Sequence, residues 1–160
     1  MPWKNIEKEP AMMHFEGTKD LPVSPAAAWQ KLSDARFLVR CIPDFESVSE
    51  SEAERAVCTI RPGFAFIRGS LELTLQVTEA SPESTMRLLA HTKGIGSSSD
   101  VEIALTLTQQ GPDTRVEWVA NVAHLGGLLK AISQGLIKAA AQRVVADVWA
   151  HVEARLVQES

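Results

Sequence analysis

The 160-residue chain has no run of lysine or arginine, no CxxC pair, and no apolar stretch near the roughly 20 residues that a membrane-spanning helix requires. Each gap closes off a class of function. A net charge of −4 without a basic cluster removes the electrostatics behind non-specific nucleic-acid affinity, so no nucleic-acid partner is expected. Cys41 and Cys58 are distant from one another and from any histidine pair, which excludes a zinc knuckle or a disulfide framework and reads as two reduced, buried thiols. The opening MPWKNIEKEP has no apolar core of a secretory signal, so a cytoplasmic protein is expected.

What remains is the composition of an ordinary globular protein, 45% hydrophobic and 22% charged, of a length that suits one core. Met12-Met13 directly precede the first strand-like pattern. Residues 1–11 therefore read as a loosely attached extension or an upstream start, and residues 12–157 as the domain.

Phe15, Gly17 and Leu21 alternate with polar residues as a first strand. Ser24-Pro25 then signals the start of a short helix through Trp29 and Leu32, and a second short helix runs from Asp34 to about Cys41 before Pro43. Six further strands follow: 45–51, 53–61, 66–79, a run from Met86 to Thr92, one from Val101 to Thr108, and Thr114 to about His124. Gly126-Gly127 ends the last of them. Leu129, Ile132, Leu136, Ala140, Val144, Val148 and Val152 then recur at helical spacing. A helix with so broad an apolar face needs a partner of matching size, and only the buried face of the strands offers one. The expected fold is α+β: a curved seven-stranded antiparallel meander wrapped around a long C-terminal helix, with two short helices after the first strand.

A strongly curved sheet leaves a gap beneath a straight helix unless large side chains fill it. The inward positions here are often small: Gly17, Ala56, Cys58, Gly69, Ala90, Thr92 and Ala120 on the strands, Ala139 to Ala141 on the helix. An apolar cavity of ligand size is the expectation. The competing expectation is a solid core filled by Phe66, Trp118 and Trp149.

The element order resembles the helix-grip fold of the START-related (SRPBCC) superfamily, and within it the G-subunit family of carbon monoxide dehydrogenase. The residues that carry the likeness are Phe15-Glu16-Gly17, Pro25 with Trp29, Arg40-Cys41-Ile42-Pro43 followed by Glu46-Ser47-Val48, Ile67-Arg68-Gly69, Lys93-Gly94-Ile95-Gly96, and Gly126-Gly127. The chain departs from the pattern at Asp44-Phe45, where Gly-Cys is common. The resemblance implies a non-catalytic accessory protein whose cavity takes a lipid- or quinone-like molecule, linking a molybdenum-containing dehydrogenase to the membrane. It also implies a peripheral location at the inner face of that membrane.

The residues expected to form the ligand site are Cys58, Leu73, Leu88, Ala90, Ile103, Trp118 and Ala120 on the strands and Leu136 and Ala140 on the helix. Arg40, Cys41 and Phe45, beside Asp44, are expected at the opening. The alternation of the last strand places His124 inward, where an imidazole can orient a ligand carbonyl or act as a base. No other acid, base or nucleophile converges on the inner face. Arg36 is read as a second charge near the opening, and His91 as an outer-face residue beside Arg87 and Lys93. His14 and His151 have no convergent partners, and Gly94-Ile95-Gly96 joins two strands instead of opening a helix, so neither a metal nor any other cofactor is expected. Two rival functions fit the same fold. A polyketide cyclase or aromatase requires several polar groups deep in the cavity. A protein-docking module requires an exposed apolar patch, for which Phe64, Phe66 and Ile95 are the candidates.

Overall fold

Strand β1 (Met13–Leu21) buries Phe15 and Leu21 and leaves polar side chains on its other face, the alternation of a strand with one wet side. Ser24 caps helix α1 (Pro25–Leu32): its hydroxyl accepts from the Ala27 amide at 3.3 Å, and Pro25 gives up an amide hydrogen that has no intrahelical partner at that position. Asp34 caps α2 (Ala35–Arg40) in the same way, accepting from the Arg36 amide at 2.9 Å. The computed structural model describes residues 12–64 and 67–159. The extension expected over residues 1–11, and the filling or docking role considered for Phe66, lie outside the described residues.

After α2 the chain turns at Asp44, whose φ of 63° is a left-handed conformation that glycine adopts with least strain. Strands β2 (Phe45–Ser51), β3 (Arg55–Ile60), β4 (Leu71–Ser81), β5 (Thr85–Gly94), β6 (Ser97–Gln110) and β7 (Asp113–Gly127) follow, each antiparallel to the next. β1 does not join the meander at β2. It pairs with β7, giving one sheet in the order β1-β7-β6-β5-β4-β3-β2, because α1 and α2 carry the chain to the opposite edge. β4 begins at Leu71, later than the alternation from Phe66 predicts. The segment before it is irregular, with Gly69 at φ 111°, and periodicity alone does not register that break.

Bulges bend the sheet, in β2 against β3, between Val77 and Glu79, and between β6 and β7 at Asp100 and Val101. Cross-strand rows line its concave face. One runs Leu75, Ala90, Val101, Val122; the next runs Val77, Leu88, Ile103, Ala120, Phe15; the third runs Met86, Leu105, Trp118, Gly17. In the third row the missing side chain of Gly17 makes room for the Trp118 ring, whose Cζ2 is 2.9 Å from where a Cβ would stand.

Gly127, at φ 62°, takes the chain out of β7 under the carbonyl of Gly96, which leaves no room for a Cβ. A single 3-10 turn (Leu128–Ala131) intervenes before the long helix α3 (Gln134–Glu159). The helix thus starts later than the glycine pair predicts, with Ser133 accepting from the Leu136 amide through its hydroxyl at 3.3 Å. Near its far end, Glu153 pairs with Lys19 of β1 at 2.6 Å, and His151 Nδ1 donates to the Cys41 carbonyl at 2.9 Å. The apolar interior forms two clusters. The smaller contains Phe15, Ala120, Val122, Leu125, Leu129 and Ile137; the larger joins α1, α2 and the sheet with Val152 and Leu156 of α3. Between Ile137 and Val152 no residue of α3 is fully buried.

Since the Trp118 ring occupies the space over Gly17, Gly17→Ala forces the indole to shift and should destabilise the fold by about 1–3 kcal/mol. Urea denaturation followed by tryptophan fluorescence measures it as a lower midpoint at unchanged slope.

Candidate functional site

The space between the two clusters is a cavity of about 360 Å³, within the roughly 300–1,000 Å³ typical of small-molecule sites. β4 supplies Leu71, Leu73 and Leu75 to its wall; β5 supplies Leu88, Ala90 and Thr92; β6 supplies Ser99, Val101, Ile103 and Leu105; β7 supplies Trp118, Ala120 and Val122. The helix closes it with Ile137, Ala140, Ala141, Val144, Val145, Val148, Trp149 and Val152. Phe15, Leu32, Leu38, Ile60 and Leu129 add to the wall, and the lining is completed by Ile42, Pro43 and Asp44 of the α2–β2 turn and Pro62, Phe64 and Ile67 of the β3–β4 connection. These last six are at least partly exposed and form the rim. Among the described lining residues only Asp44, Thr92 and Ser99 carry a carboxylate or hydroxyl. Trp118 and Trp149, considered as fillers, stand in the wall and leave the space between them open.

Of the residues expected at the site, Leu73, Leu88, Ala90, Ile103, Trp118, Ala120 and Ala140 line the cavity. Six expected residues do not, for identifiable reasons. His124 is exposed on the outer face: the bulge pairs Asp100 with His124 but Val101 with Val122, so Ala123 is an extra residue that reverses the alternation beyond it. The imidazole Nε2 reaches within 3.0 Å of the Cβ position of Gly126. Leu136 is exposed because the helix phase is set by Ile137, one residue and about 100° further round. Cys41 and Cys58 are fully buried but belong to the core between α2 and the sheet, since α2 packs against β3 and covers it. Arg40 is exposed, its guanidinium 5.8 Å from the centroid of the Phe45 ring, and this pair lies beside the rim instead of in the lining.

Several other titratable side chains considered from the sequence are engaged outside the cavity. Arg36 wraps back on Asp34 with a 2.8 Å contact and holds that carboxyl below its usual range. His91, half-buried, lies 2.6 Å from Asp100. Arg87 is not a solvated neighbour of His91 as its place in the alternation predicts. It is buried on the outer face of β5, with Nη1 3.4 Å from Glu79. His14 Nδ1 and Asn121 Oδ1 are 2.5 Å apart across β1 and β7. Burial pushes the Cys58 thiol up to about 11, so it stays protonated, the opposite of what a nucleophile requires.

The chamber between the curved sheet and the long helix is thus apolar, with no converging acid and base in its described wall. The sequence matches the CoxG family, the G subunit of carbon monoxide dehydrogenase, over residues 17–157. The chain belongs to this family. No protein of curated function matches it. Among solved structures, this CoxG-family chain is similar to a conserved protein from Geobacillus kaustophilus, with TM-score 0.81 and 20% identity over 91% of this chain and 96% of that one. It is also similar to a START superfamily protein from Mycobacterium smegmatis, with TM-score 0.66 and 11% identity over 92% and 99% of the two chains. A protein from Thermus thermophilus matches with TM-score 0.67 and 15% identity over 92% and 99%. At these identities the structural likeness establishes the helix-grip fold and no more. In the CoxG-family chain, Asp44 supplies a left-handed turn residue between α2 and β2.

Two measurements test these assignments. Ala120→Trp fills the chamber from its floor and should abolish uptake of an apolar fluorescent probe while leaving the circular dichroism spectrum unchanged; undiminished uptake would remove Ala120 from the binding surface. Because the folded state holds the Cys58 proton up to about 11 while an unfolded thiol loses it from its ordinary value of 9.0, folding stability should fall as pH rises through that interval. Denaturation midpoints measured across this range should decline more steeply for the native chain than for Cys58→Ala.

Proposed function

We propose that this chain is a non-catalytic binding protein that carries a hydrophobic, lipid- or quinone-like molecule in the cavity and exchanges it at a membrane surface, as an accessory to a dehydrogenase. The observation that carries this reading is the nearly all-apolar lining of a ligand-sized chamber with a partly exposed rim. An apolar void of this size in a close-packed interior costs stability unless something occupies it, and an apolar ligand regains the lost contacts. Family membership supplies the dehydrogenase as a candidate partner. A cyclase would need convergent polar groups, and the wall offers only the Thr92 and Ser99 hydroxyls and the rim carboxylate of Asp44 among its described residues.

No described helix is long and apolar enough to cross a membrane, so contact with a bilayer through the helices would be peripheral. One end of the molecule suits it. Ile95 packs over Gly69, Leu128 packs over Gly96, and α3 begins beside them; Ile95, Leu128 and Leu136 are exposed by 41%, 59% and 57%. The chain has no carboxylate between Glu54 and Glu72, between Glu83 and Asp100, or between Glu117 and Asp147. These are the stretches that meet there, and they carry the exposed cations Arg68, Lys93, Lys130 and Lys138. Lys93 shares its charge with Glu72 at 3.5 Å. Apolar tips among cations, on a chain of net charge −4, match an anionic lipid surface better than an arbitrary protein partner.

Gentle extraction followed by native mass spectrometry should reveal an apolar molecule that travels with the chain, and consistently empty protein would count against carriage. Lys130→Glu combined with Lys138→Glu should weaken sedimentation with phosphatidylserine-rich vesicles by about tenfold or more. Phosphatidylcholine vesicles provide the comparison, and equal loss on both would remove the electrostatic component.

A further inference from the structure

We infer that the cavity has a polar end, formed by Thr92 and Ser99, that receives one carbonyl or hydroxyl group of an otherwise apolar ligand. The inference rests on the binding role proposed above and specifies the chemistry of what is bound.

Thr92 of β5 and Ser99 of β6 are directly opposite each other, with Oγ1 and Oγ 2.5 Å apart. Both residues line the cavity, and their row places Leu73 on one side and Leu125 on the other. The adjacent row, Leu75, Ala90, Val101 and Val122, contains no hydroxyl. Asp44, the other described lining residue with a carboxylate or hydroxyl, stands exposed on the rim and accepts from the Gly63 amide through Oδ2 at 3.4 Å. Apart from the indole N–H groups of Trp118 and Trp149, side-chain polarity in the described wall away from the rim is therefore concentrated close to the β5–β6 turn.

Two hydroxyls hold two hydrogens, and their mutual bond uses one. Among the described residues the second hydrogen meets no acceptor, and lone pairs remain on both oxygens. Whichever hydroxyl donates to the other, the pair can offer one O–H to a ligand carbonyl, or accept from a ligand hydroxyl. A cross-strand Thr–Ser bond that served the sheet alone would work equally well on the convex face, in water, where no hydroxyl has to be withdrawn from solvent. On the concave face it orients a ligand: the oxygen-bearing end lies beneath the β5–β6 turn, and the apolar body extends toward Trp118 and Trp149.

The test uses two probes of nearly identical shape, 2-acetylnaphthalene and 2-isopropenylnaphthalene, which differ in a carbonyl oxygen against a methylene. Binding is measured by equilibrium dialysis to the full chain and to Thr92→Val/Ser99→Ala. The ketone should bind the double variant about three- to tenfold more weakly, the worth of one net hydrogen bond, while the hydrocarbon changes by less than about twofold. Thr92→Ser, which keeps the hydroxyl, should retain the ketone affinity and guards against a folding defect in the double variant. Equal changes for both probes, or an unaltered ketone affinity, would overturn the polar end and leave the carrier role standing. Failure of both probes to bind the native chain would overturn the two readings together.

Discussion

The structure depends on a helix whose fully buried residues lie toward its two ends, with half-buried ones between. Ile137 and Leu129 secure the start of α3 to the β7 side of the sheet, while Val152, Leu156, the Lys19–Glu153 pair and the His151–Cys41 bond secure its end. Between them the helix lines the chamber with Ala140, Ala141, Val144, Val145 and Val148, above a floor that includes Ala90 and Ala120. The sheet cannot rise to close the gap, because its bulges bend it away and its edges are fixed by α2 at one end and β1 at the other. The chamber is thus a consequence of anchoring a straight rod across a bent surface, with small residues where the two diverge most.

Core and chamber share residues: Leu73, Leu88 and Val152 belong to the larger cluster and also line the cavity. Each cluster supplies well-packed apolar contacts, and Cys58, Val39 and Val116 are buried in the larger one without lining the chamber. Many of the residues that face the empty volume are only half-buried, so changes among them alter the shape of the space at modest cost to the fold. Asp44 lies at the rim in a left-handed turn, and Phe45 beside it is covered by Arg40.

The charges follow the same geometry. Ile95 and Leu128 stand exposed near Lys93, whose charge is shared with Glu72, and near Ser70, which donates to Glu46. A ligand leaving a bilayer would meet this end first under the proposed role, and the Thr92–Ser99 pair lies beneath the same turn.

Much of this is legible in residue order, because the signals involved are local. Alternation in β1 and β3 to β7, the Ser24-Pro25 cap and the glycine pair before the helix point to the α+β helix-grip architecture, and small inward residues point to Leu73, Leu88, Ala90, Ile103, Trp118, Ala120 and Ala140 as wall. The differences arise where one residue changes a phase. A single bulged residue, Ala123, moves His124 outside, and a 3-10 turn before α3 puts Ile137 rather than Leu136 on the inner face. Cys41 and Cys58 are buried as their composition suggests, but which buried surface is floor and which is core depends on α2 covering β3. The Thr92–Ser99 contact and the pairing of β1 with β7 join residues on different strands, so they exist only once register is fixed. Period-two and period-3.6 patterns specify faces of elements; bulges, helix starts and strand partners decide which faces meet, because these are settled by long-range packing that no local pattern encodes.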